Sequence, residues 1–182
     1  MRVVKLSADI QYCIAMPEGV RKSKTLLLIV IAASCMSGCT RTHKEGNLAN
    51  LADRERIIAT LREAYAAFNR GDIDAAVQGL DANIEWTEPP EFPGGGSYHG
   101  RAGAKRYLTQ SRAAWAEVIS EPERFIPAGD RMIVFVYARV RPRDSQDWQE
   151  VRLADVYSVR DGKIVAMHAF ADREAAQRWA GQ

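Results

Sequence analysis

The chain has 182 residues, 47% of them hydrophobic, and it carries 25 Lys and Arg against 23 Asp and Glu. That length suits one domain, with or without a processed leader, and a charged fraction of 26% excludes wholesale disorder and a collagen-like fibre. The only cysteines are Cys13, Cys35 and Cys39. The chain after them therefore has no disulfide, no thiolate metal ligand and no cysteine nucleophile.

Residues 1–38 have the order of a secretory signal peptide. Three basic residues in 21–24 precede an unbroken apolar run over 26–33, and small residues follow. The run is far short of the roughly 20 residues that a permanent membrane span needs. The segment ends in Met-Ser-Gly before Cys39, which resembles a bacterial lipobox, so we expect Cys39 to be lipidated and to become the mature N-terminus. Cys35 is a weaker candidate, and an uncleaved anchor or a plain secretory signal is the alternative.

The signal-peptide interpretation has consequences for the start site of translation and for the charge of the mature chain. We expect residues 1–15 to be a start-site artefact or an elongated positive region, because Met16 opens a more usual signal. Residues 1–38 hold five basic and two acidic side chains, which leaves 20 basic and 21 acidic ones in 39–182. No basic excess remains to favour nucleic acid. The predicted location is the bacterial cell envelope, with the protein anchored to a membrane and facing the periplasm or the exterior.

The mature chain begins with a polar tether over residues 39–52, followed by a single domain over 53–182. From Asp53, apolar residues recur every three or four positions, which predicts a helix that ends at Gly71. Its apolar stripe consists of Ile57, Ile58, Leu61, Tyr65 and Phe68. Asp72 is expected to cap a short second helix.

The rest of the domain alternates between strand and helix patterns. A strand is predicted over 83–88, a loop rich in proline and glycine over 89–100, and a helix over 101–118. Further strands are predicted near 121–128, 131–141, 148–159 and 163–170. Asp172 is expected to cap a terminal helix. Helices that precede antiparallel strands indicate an α+β fold, in which one curved sheet is wrapped against helices.

Alternation along the strands places ionisable residues in rows that are otherwise largely apolar. Residues two apart on a strand point to the same face. Four rows result: Glu88 with Ile84 and Trp86; Asp155 with Val151, Leu153 and Tyr157; His168 with Ile164 and Phe170; and Arg139 with Phe135 and Tyr137. Burying an unpaired charge is costly, so such groups belong to ion pairs or to the polar groups of a cavity. We predict a small, mostly apolar ligand pocket; a salt-bridged core with Asp155 paired to Arg139 is the alternative.

The residues predicted to line the pocket are all aromatic except for one arginine. They are Trp86, Tyr107, Trp115, Phe135, Tyr137, Arg139, Tyr157 and Phe170. Tyr107 and Trp115 also fit the core stripe of their own helix. The three histidines have no spacing that builds a tetrahedral site, so neither a metal nor a cofactor is predicted.

Five segments in order resemble the SnoaL-like proteins. They are Ala-Phe-Asn-Arg-Gly-Asp at 67–72, Asn-Ile-Glu-Trp at 83–86, Glu-Pro-Pro at 88–90, Tyr-His-Gly-Arg-Ala at 98–102 and Asp-Gly-Lys-Ile-Val at 161–165. These proteins belong to the nuclear transport factor 2-like superfamily, which includes ketosteroid isomerase. The resemblance covers about residues 53–180. It implies a cone-shaped, cystatin-like α+β domain, with a bent antiparallel sheet closed by three N-terminal-side helices around an apolar pocket, often as a homodimer.

Ketosteroid isomerase offers a comparison at single residues. Glu88, before Pro89, takes the place of the isomerase's base, and Asp155 takes the place of its protonated, oxyanion-holding aspartate. The isomerase's oxyanion tyrosine aligns with Ala64, and Tyr65 points elsewhere by one helical step of about 100°. The comparison therefore predicts that this donor is missing, and steroid isomerisation is not transferred.

The leading hypothesis is a membrane-anchored pocket domain that binds a small, largely apolar molecule. If it is catalytic, Glu88 acts as general base and protonated Asp155 as hydrogen-bond donor, with His168 and Tyr157 as orienting groups. Relatives use such cavities for aldol-type cyclisation, dehydration and epoxide hydrolysis, and many have no known activity, so the fold does not choose the reaction. The alternative is a non-catalytic module that dimerises or binds another envelope protein.

Overall fold

The structure, a computed structural model, describes residues 51–182. The predicted signal peptide, Cys39 and residues 39–50 of the predicted tether lie outside the described residues. Residues 51 and 52, which were predicted to end the tether, already belong to the first helix. Within the described part of the chain, no helix is both long enough and apolar enough to cross a membrane.

The helices are α1 (Leu51–Arg70), α2 (Ile73–Gln78), α3 (Gly100–Ala113) and α4 (Arg173–Trp179). The predicted stripe of α1 is confirmed, since Ile57, Leu61, Tyr65 and Phe68 are buried and Ile58 packs half-buried against the same core. Gly71 follows α1 with a φ of +81°, a left-handed conformation that costs glycine little. As predicted, Asp72 and Asp172 cap α2 and α4, each through a side-chain oxygen that accepts from a backbone N–H three residues on.

The strands are β1 (Leu80–Glu88), β2 (Gly96–His99), β3 (Glu117–Ala128), β4 (Arg131–Arg141), β5 (Gln149–Arg160) and β6 (Lys163–Phe170). They form one six-stranded sheet in the order β2-β1-β6-β5-β4-β3. The predicted α+β class is confirmed, with a curved, open sheet. Several bounds differ: β1 begins at Leu80 instead of position 83, and β2 lies inside the predicted loop over 89–100. α3 ends at Ala113 instead of position 118, because β3 already begins at Glu117, which pairs with Arg141.

One strand pair departs from the antiparallel sheet that the family resemblance implies. β1 runs parallel to β6, and the other four neighbouring pairs are antiparallel. The parallel contact brings the carboxyl end of β1, where Glu88 lies, beside the carboxyl end of β6. On the other edge of β1, β2 pairs with it in antiparallel orientation and extends the sheet, with Gly96 opposite Glu88.

Both faces of the sheet are covered. The inner face packs against α1 and α3 and contains Met132, Val134 and Val136 of β4. On the outer face, Ile133 and Val156 pack with Ala176 of α4. Met132, Ile133 and Val134 of β4 are therefore buried in succession, so the sequence of this strand does not reveal which row faces which core.

A bulge in β6 changes which residues face inward. Ile164 is paired with Val159, whereas Ala166 is paired with Ser158, so Val165 is an extra residue in the ladder. Such a residue shifts the alternation by one position. Ile164 lies in the inner core and so does Met167, three residues later, while even-numbered positions beyond Val165 turn to the outer face.

Candidate functional site

A cavity of about 440 Å³ lies between the inner face of the sheet, α1 and α3. This volume is within the range of about 300–1,000 Å³ that is usual for small-molecule sites. Its walls are mostly apolar and aromatic, and its acidic members are Glu88, Glu91 and Asp155. Among residues 51–182, those that line the cavity include no Lys, Arg or His.

Asp155 is held in the cavity wall by β5, where its cross-strand neighbour is Val134 of the inner core. It is only partly buried because it borders the cavity. The Tyr65 hydroxyl of α1 donates a hydrogen bond to Asp155 Oδ2, and the Tyr157 hydroxyl in turn donates to the Tyr65 oxygen at 3.1 Å. Removal from bulk water raises the pKa of Asp155 to about 6, and the Tyr65 hydrogen bond opposes that rise.

Glu88 ends β1 and is 7% exposed. The Trp86 indole donates Nε1–H to Glu88 Oε1 at 2.8 Å, and the Tyr107 hydroxyl also hydrogen-bonds to this carboxyl. Burial raises the pKa of Glu88 to about 8, and the negative charge of Asp155 adds to the rise. Its hydrogen bonds come from neutral groups and offset only part of this effect.

Tyrosine hydroxyls complete the polar lining and remain protonated. Burial raises the pKa of Tyr65, Tyr107 and Tyr157 well above the usual value of 10.0. Each can therefore donate a hydrogen bond across the whole ordinary pH range. Ser111, one turn after Tyr107 on α3, hydrogen-bonds to the Tyr107 hydroxyl and so helps to hold it on Glu88.

Glu88 and Asp155 together hold about one proton at neutral pH. Asp155 accepts from Tyr65 and has the lower pKa, so it is the ionised member, while Glu88 carries the proton. This order of pKa values is the reverse of the order expected from the isomerase comparison. Two carboxyl groups whose environments separate their pKa values are the usual arrangement for paired acid and base chemistry.

Six of the residues predicted for the site line the cavity together. They are Trp86, Glu88, Tyr107, Trp115, Asp155 and Tyr157. The rows chosen on β1 and β5 account for most of them. The opposite row of β1 is polar, and the row of Asp155 is the more apolar of the two rows of β5.

The placement of Phe135, Tyr137 and Arg139 in the pocket is wrong. The cavity is lined by Val136, Ala138 and Val140, the other row of β4. The reason is that both rows of this strand are largely apolar, and Ile133 and Phe135 of the outer row pack against α4. The alternative pair of Asp155 with Arg139 does not form either, since Arg139 lies 3.7 Å from Glu121.

The placement of His168 and Phe170 in the pocket is also wrong. The bulge at Val165 turns both to the outer face, where the His168 ring stacks on Trp179 at 5.2 Å and contacts Phe170 at 4.6 Å. Partial burial lowers the pKa of His168. An orienting role for His168 next to the carboxyl pair is excluded by this position.

Tyr65 is the functional residue that the sequence comparison missed. The comparison placed the isomerase tyrosine at Ala64 and concluded that the donor was absent, yet Tyr65 reaches Asp155. Its position on the buried stripe of α1, with Leu61 and Phe68, was the available signal. Glu91, Phe92 and Pro93, between β1 and β2, also border the cavity and were not among the predicted site residues.

No three His, Cys, Asp or Glu side chains in the described range are grouped so that they could hold a metal ion. The polar atoms at the cavity are carboxyl, phenol, indole, amide and alcohol groups. They suit hydrogen bonding and proton transfer to an organic ligand.

A curved sheet and helices around one acidic, largely apolar cavity define the pocket proteins of the nuclear transport factor 2-like class. The family model of the SnoaL-like domain matches residues 61–167. The chain therefore belongs to the SnoaL-like family. No protein with a curated description matches it.

Three solved structures are similar to this chain. TerC, co-crystallised with polyporic acid, is 26% identical with a TM-score of 0.57, over 71% of this chain and 98% of TerC. A nuclear transport factor 2-like protein from Burkholderia thailandensis is 27% identical with a TM-score of 0.57, over 71% of this chain and 97% of its own. SalBIII, an epoxide hydrolase/cyclase-like enzyme described in pyran ring formation in the polyether salinomycin, is 26% identical with a TM-score of 0.52, over 65% and 90%.

Proposed function

We propose that the domain binds a small, largely apolar organic molecule in this cavity and exchanges protons with it through Glu88 and Asp155. The observation that carries the proposal is that two carboxyl groups of unequal proton affinity border one apolar cavity. A general base and a general acid that both work near neutral pH need this combination.

The proposed roles follow from the protonation states. Asp155, as the carboxylate, takes a proton from an acidic C–H or O–H of the ligand, and protonated Glu88 gives its proton to a second ligand atom. The ligand then loses one proton and gains one, which is the balance of an isomerisation or a ring closure. The hydrogen bond from Tyr65 holds the Asp155 carboxylate in position. The same bond stabilises the ionised form, so it opposes protonation of Asp155.

The relatives support an organic ligand of this kind. TerC is a structure with polyporic acid, and SalBIII is described in pyran ring formation. Both are similar to this chain over most of the described domain.

The test compares wild type with Glu88→Gln and Asp155→Asn for binding and turnover across a panel of hydrophobic metabolites. Both substitutions keep the shape of the side chain and remove the titrating group. Glu85→Gln is the matched control, because Glu85 lies on the same strand, is 62% exposed at its side chain and pairs with His99. We expect loss of turnover in the first two variants only. Wild-type binding and turnover in both would disprove the assignment.

We propose further that Cys39 is lipidated and holds the domain at a bacterial membrane, facing the periplasm or the exterior. The support is the order of residues 1–38 and the segment Met-Ser-Gly before Cys39. Mass spectrometry of the mature N-terminus tests this, since an acylated cysteine is expected there. Homodimerisation also stays a prediction, which light scattering of the mature domain would test.

A further inference from the structure

The charges that line the cavity favour one class of ligand. Three carboxyl groups border the cavity, and no basic side chain among residues 51–182 lines it. Basic side chains on the elements around it are engaged elsewhere. Arg112 of α3 donates to the Phe68 carbonyl at 2.9 Å, and Arg152 of β5 lies 5.0 Å from the Tyr137 ring.

A buried carboxylate is normally compensated by a cation or by several hydrogen bonds. Asp155 and Glu88 receive hydrogen bonds only from neutral groups of the described chain: Tyr65 for the first, Trp86 and Tyr107 for the second. The pair therefore keeps one proton instead of two negative charges. A positive group placed between the two carboxyls would supply the missing compensation.

The walls of the cavity suit such a group. Trp86 and Tyr107 lie close together, with ring centroids 6.2 Å apart, and Phe92 and Trp115 also border the cavity. Indole and phenol rings attract organic cations through their faces. The same rings bury an apolar body, and the volume of about 440 Å³ suits a molecule of modest size.

From the cavity's charge and its aromatic walls we infer that the ligand is an organic ammonium ion on an apolar body, with the ammonium group between Glu88 and Asp155. This inference rests on the proposed small-molecule site and specifies its ligand class. It does not depend on the proposed proton exchange, because Glu88 is ionised in the ammonium complex and does not act as an acid there. An anionic ligand would meet three carboxyl groups and no basic side chain of the described cavity wall.

Binding of this kind releases a proton. The ammonium ion stabilises the ionised form of Glu88, so the proton that Glu88 holds at neutral pH leaves to solvent as the ligand enters. The other titratable groups that face the pair are Tyr65, Tyr107, Tyr157 and Glu91. The tyrosines have raised pKa values and stay neutral, and Asp155 is already largely ionised at pH 7, so Glu88 is the group that responds between about pH 7 and pH 8.

The experiment uses three probes that share one skeleton: phenylbutylamine, phenylbutanol and phenylbutyrate. Isothermal titration calorimetry of the mature domain gives each affinity at several pH values, in two buffers of different ionisation enthalpy. We expect the amine to bind at least about tenfold more tightly than the alcohol. Its affinity should rise by up to about tenfold per pH unit below the pKa of Glu88, with release of one proton. The amine itself stays protonated, since such groups titrate near pH ~10.

Variants separate the carboxyl pair from general surface charge. Glu88→Gln should reduce the preference for the amine and remove the proton release, Asp155→Asn should reduce the preference, and Glu85→Gln should change neither. Equal or tighter binding of the alcohol or the carboxylate would overturn the ammonium ligand and leave the small-molecule site standing. Binding of none of the three probes would count against both proposals.

Discussion

Tyr65 donates a hydrogen bond to Asp155 although 90 positions separate them in the chain. One residue lies on the buried stripe of α1, and the other lies on the inner row of β5. The contact therefore depends on how the helix packs across the sheet. It holds the lower-pKa member of the carboxyl pair as a hydrogen-bond acceptor, which is the state that a base requires.

Tyr65→Phe should raise the pKa of Asp155 above its value of about 6, because the hydrogen bond that favours the carboxylate is lost. A hydrogen bond to a charged group is worth about 1.5–3 kcal/mol, so the midpoint should move up by roughly one pH unit or more. Carbon-13 NMR of the aspartate carboxyl groups measures this midpoint.

The matched control is Tyr157→Phe, since Tyr157 donates to Tyr65 and not directly to Asp155. A smaller change in the same direction is expected, because Tyr65 then loses a neighbour that holds its hydroxyl. An Asp155 midpoint that stays the same in Tyr65→Phe would contradict the assigned role of Tyr65.

The raised pKa of Glu88 predicts how stability depends on pH. In the unfolded chain Glu88 titrates near its usual value of 4.5, and in the folded domain it titrates at about 8. The folded state therefore binds more protons between these values, and stability falls as pH rises through this window. The free energy of unfolding, measured by urea titration, should decrease by up to about 1.4 kcal/mol per pH unit from Glu88 alone.

Glu88→Gln should remove the decrease in the free energy of unfolding between pH ~7 and ~8, because Asp155, the other member of the carboxyl pair, does not titrate there. Asp155, with its pKa of about 6, is already ionised there, and the lowered pKa of His168 places its titration below this window. At pH values above about 8 the variant should be more stable than wild type. A slope that persists unchanged in Glu88→Gln would assign it to another group.

Which parts of this site are visible in the sequence depends on what lies on the opposite face of each strand. In β1, polar residues such as Glu85 alternate with apolar ones, so the inner row that contains Glu88 stands out. In β5 the outer row holds Arg152 as well as the buried Ala154 and Val156, so the row of Asp155 differs from it less clearly. In β4 both rows are largely apolar, since Ile133 and Phe135 of the outer row pack against α4, and periodicity alone does not distinguish them.

The remaining differences arise from features that a pattern of residue types does not encode. The extra residue at Val165 reverses the alternation of β6 without any glycine or proline to mark it. The position of Tyr65 relative to Asp155 depends on the packing of α1 on the sheet, which a shift of one residue in an alignment obscures. The helix caps were predictable, since Asp72 and Asp172 act within three residues of themselves.

The corrected position of His168 yields a prediction about binding. His168→Ala should leave the affinity of a cavity ligand within about twofold, because the side chain lies on the outer face between Phe170 and Trp179. It should lower stability by about 1 kcal/mol through the lost ring contacts. Trp86→Phe is the comparison: it removes the indole donor to Glu88 inside the cavity and should weaken binding. A clear loss of affinity in His168→Ala would show that the outer face communicates with the cavity.

Asn69 offers a test of how α1 is fastened to the sheet. Its side chain bonds twice to the backbone of Ser120, with Nδ2 donating to the carbonyl at 2.9 Å and Oδ1 accepting from the N–H at 2.8 Å. Since β3 is an edge strand, this amide stands in for a missing strand partner. Asn69→Ala should lower the free energy of unfolding by about 1–3 kcal/mol, the value of two neutral hydrogen bonds, as measured by urea denaturation. Asn69→Asp should recover part of this loss because it keeps the acceptor, and Asn83→Ala, at an exposed position of β1, should have little effect. If Asn69→Ala unfolds within about 0.5 kcal/mol of wild type, water replaces the amide at this edge without cost, and Asn69 does not fasten α1 to the sheet.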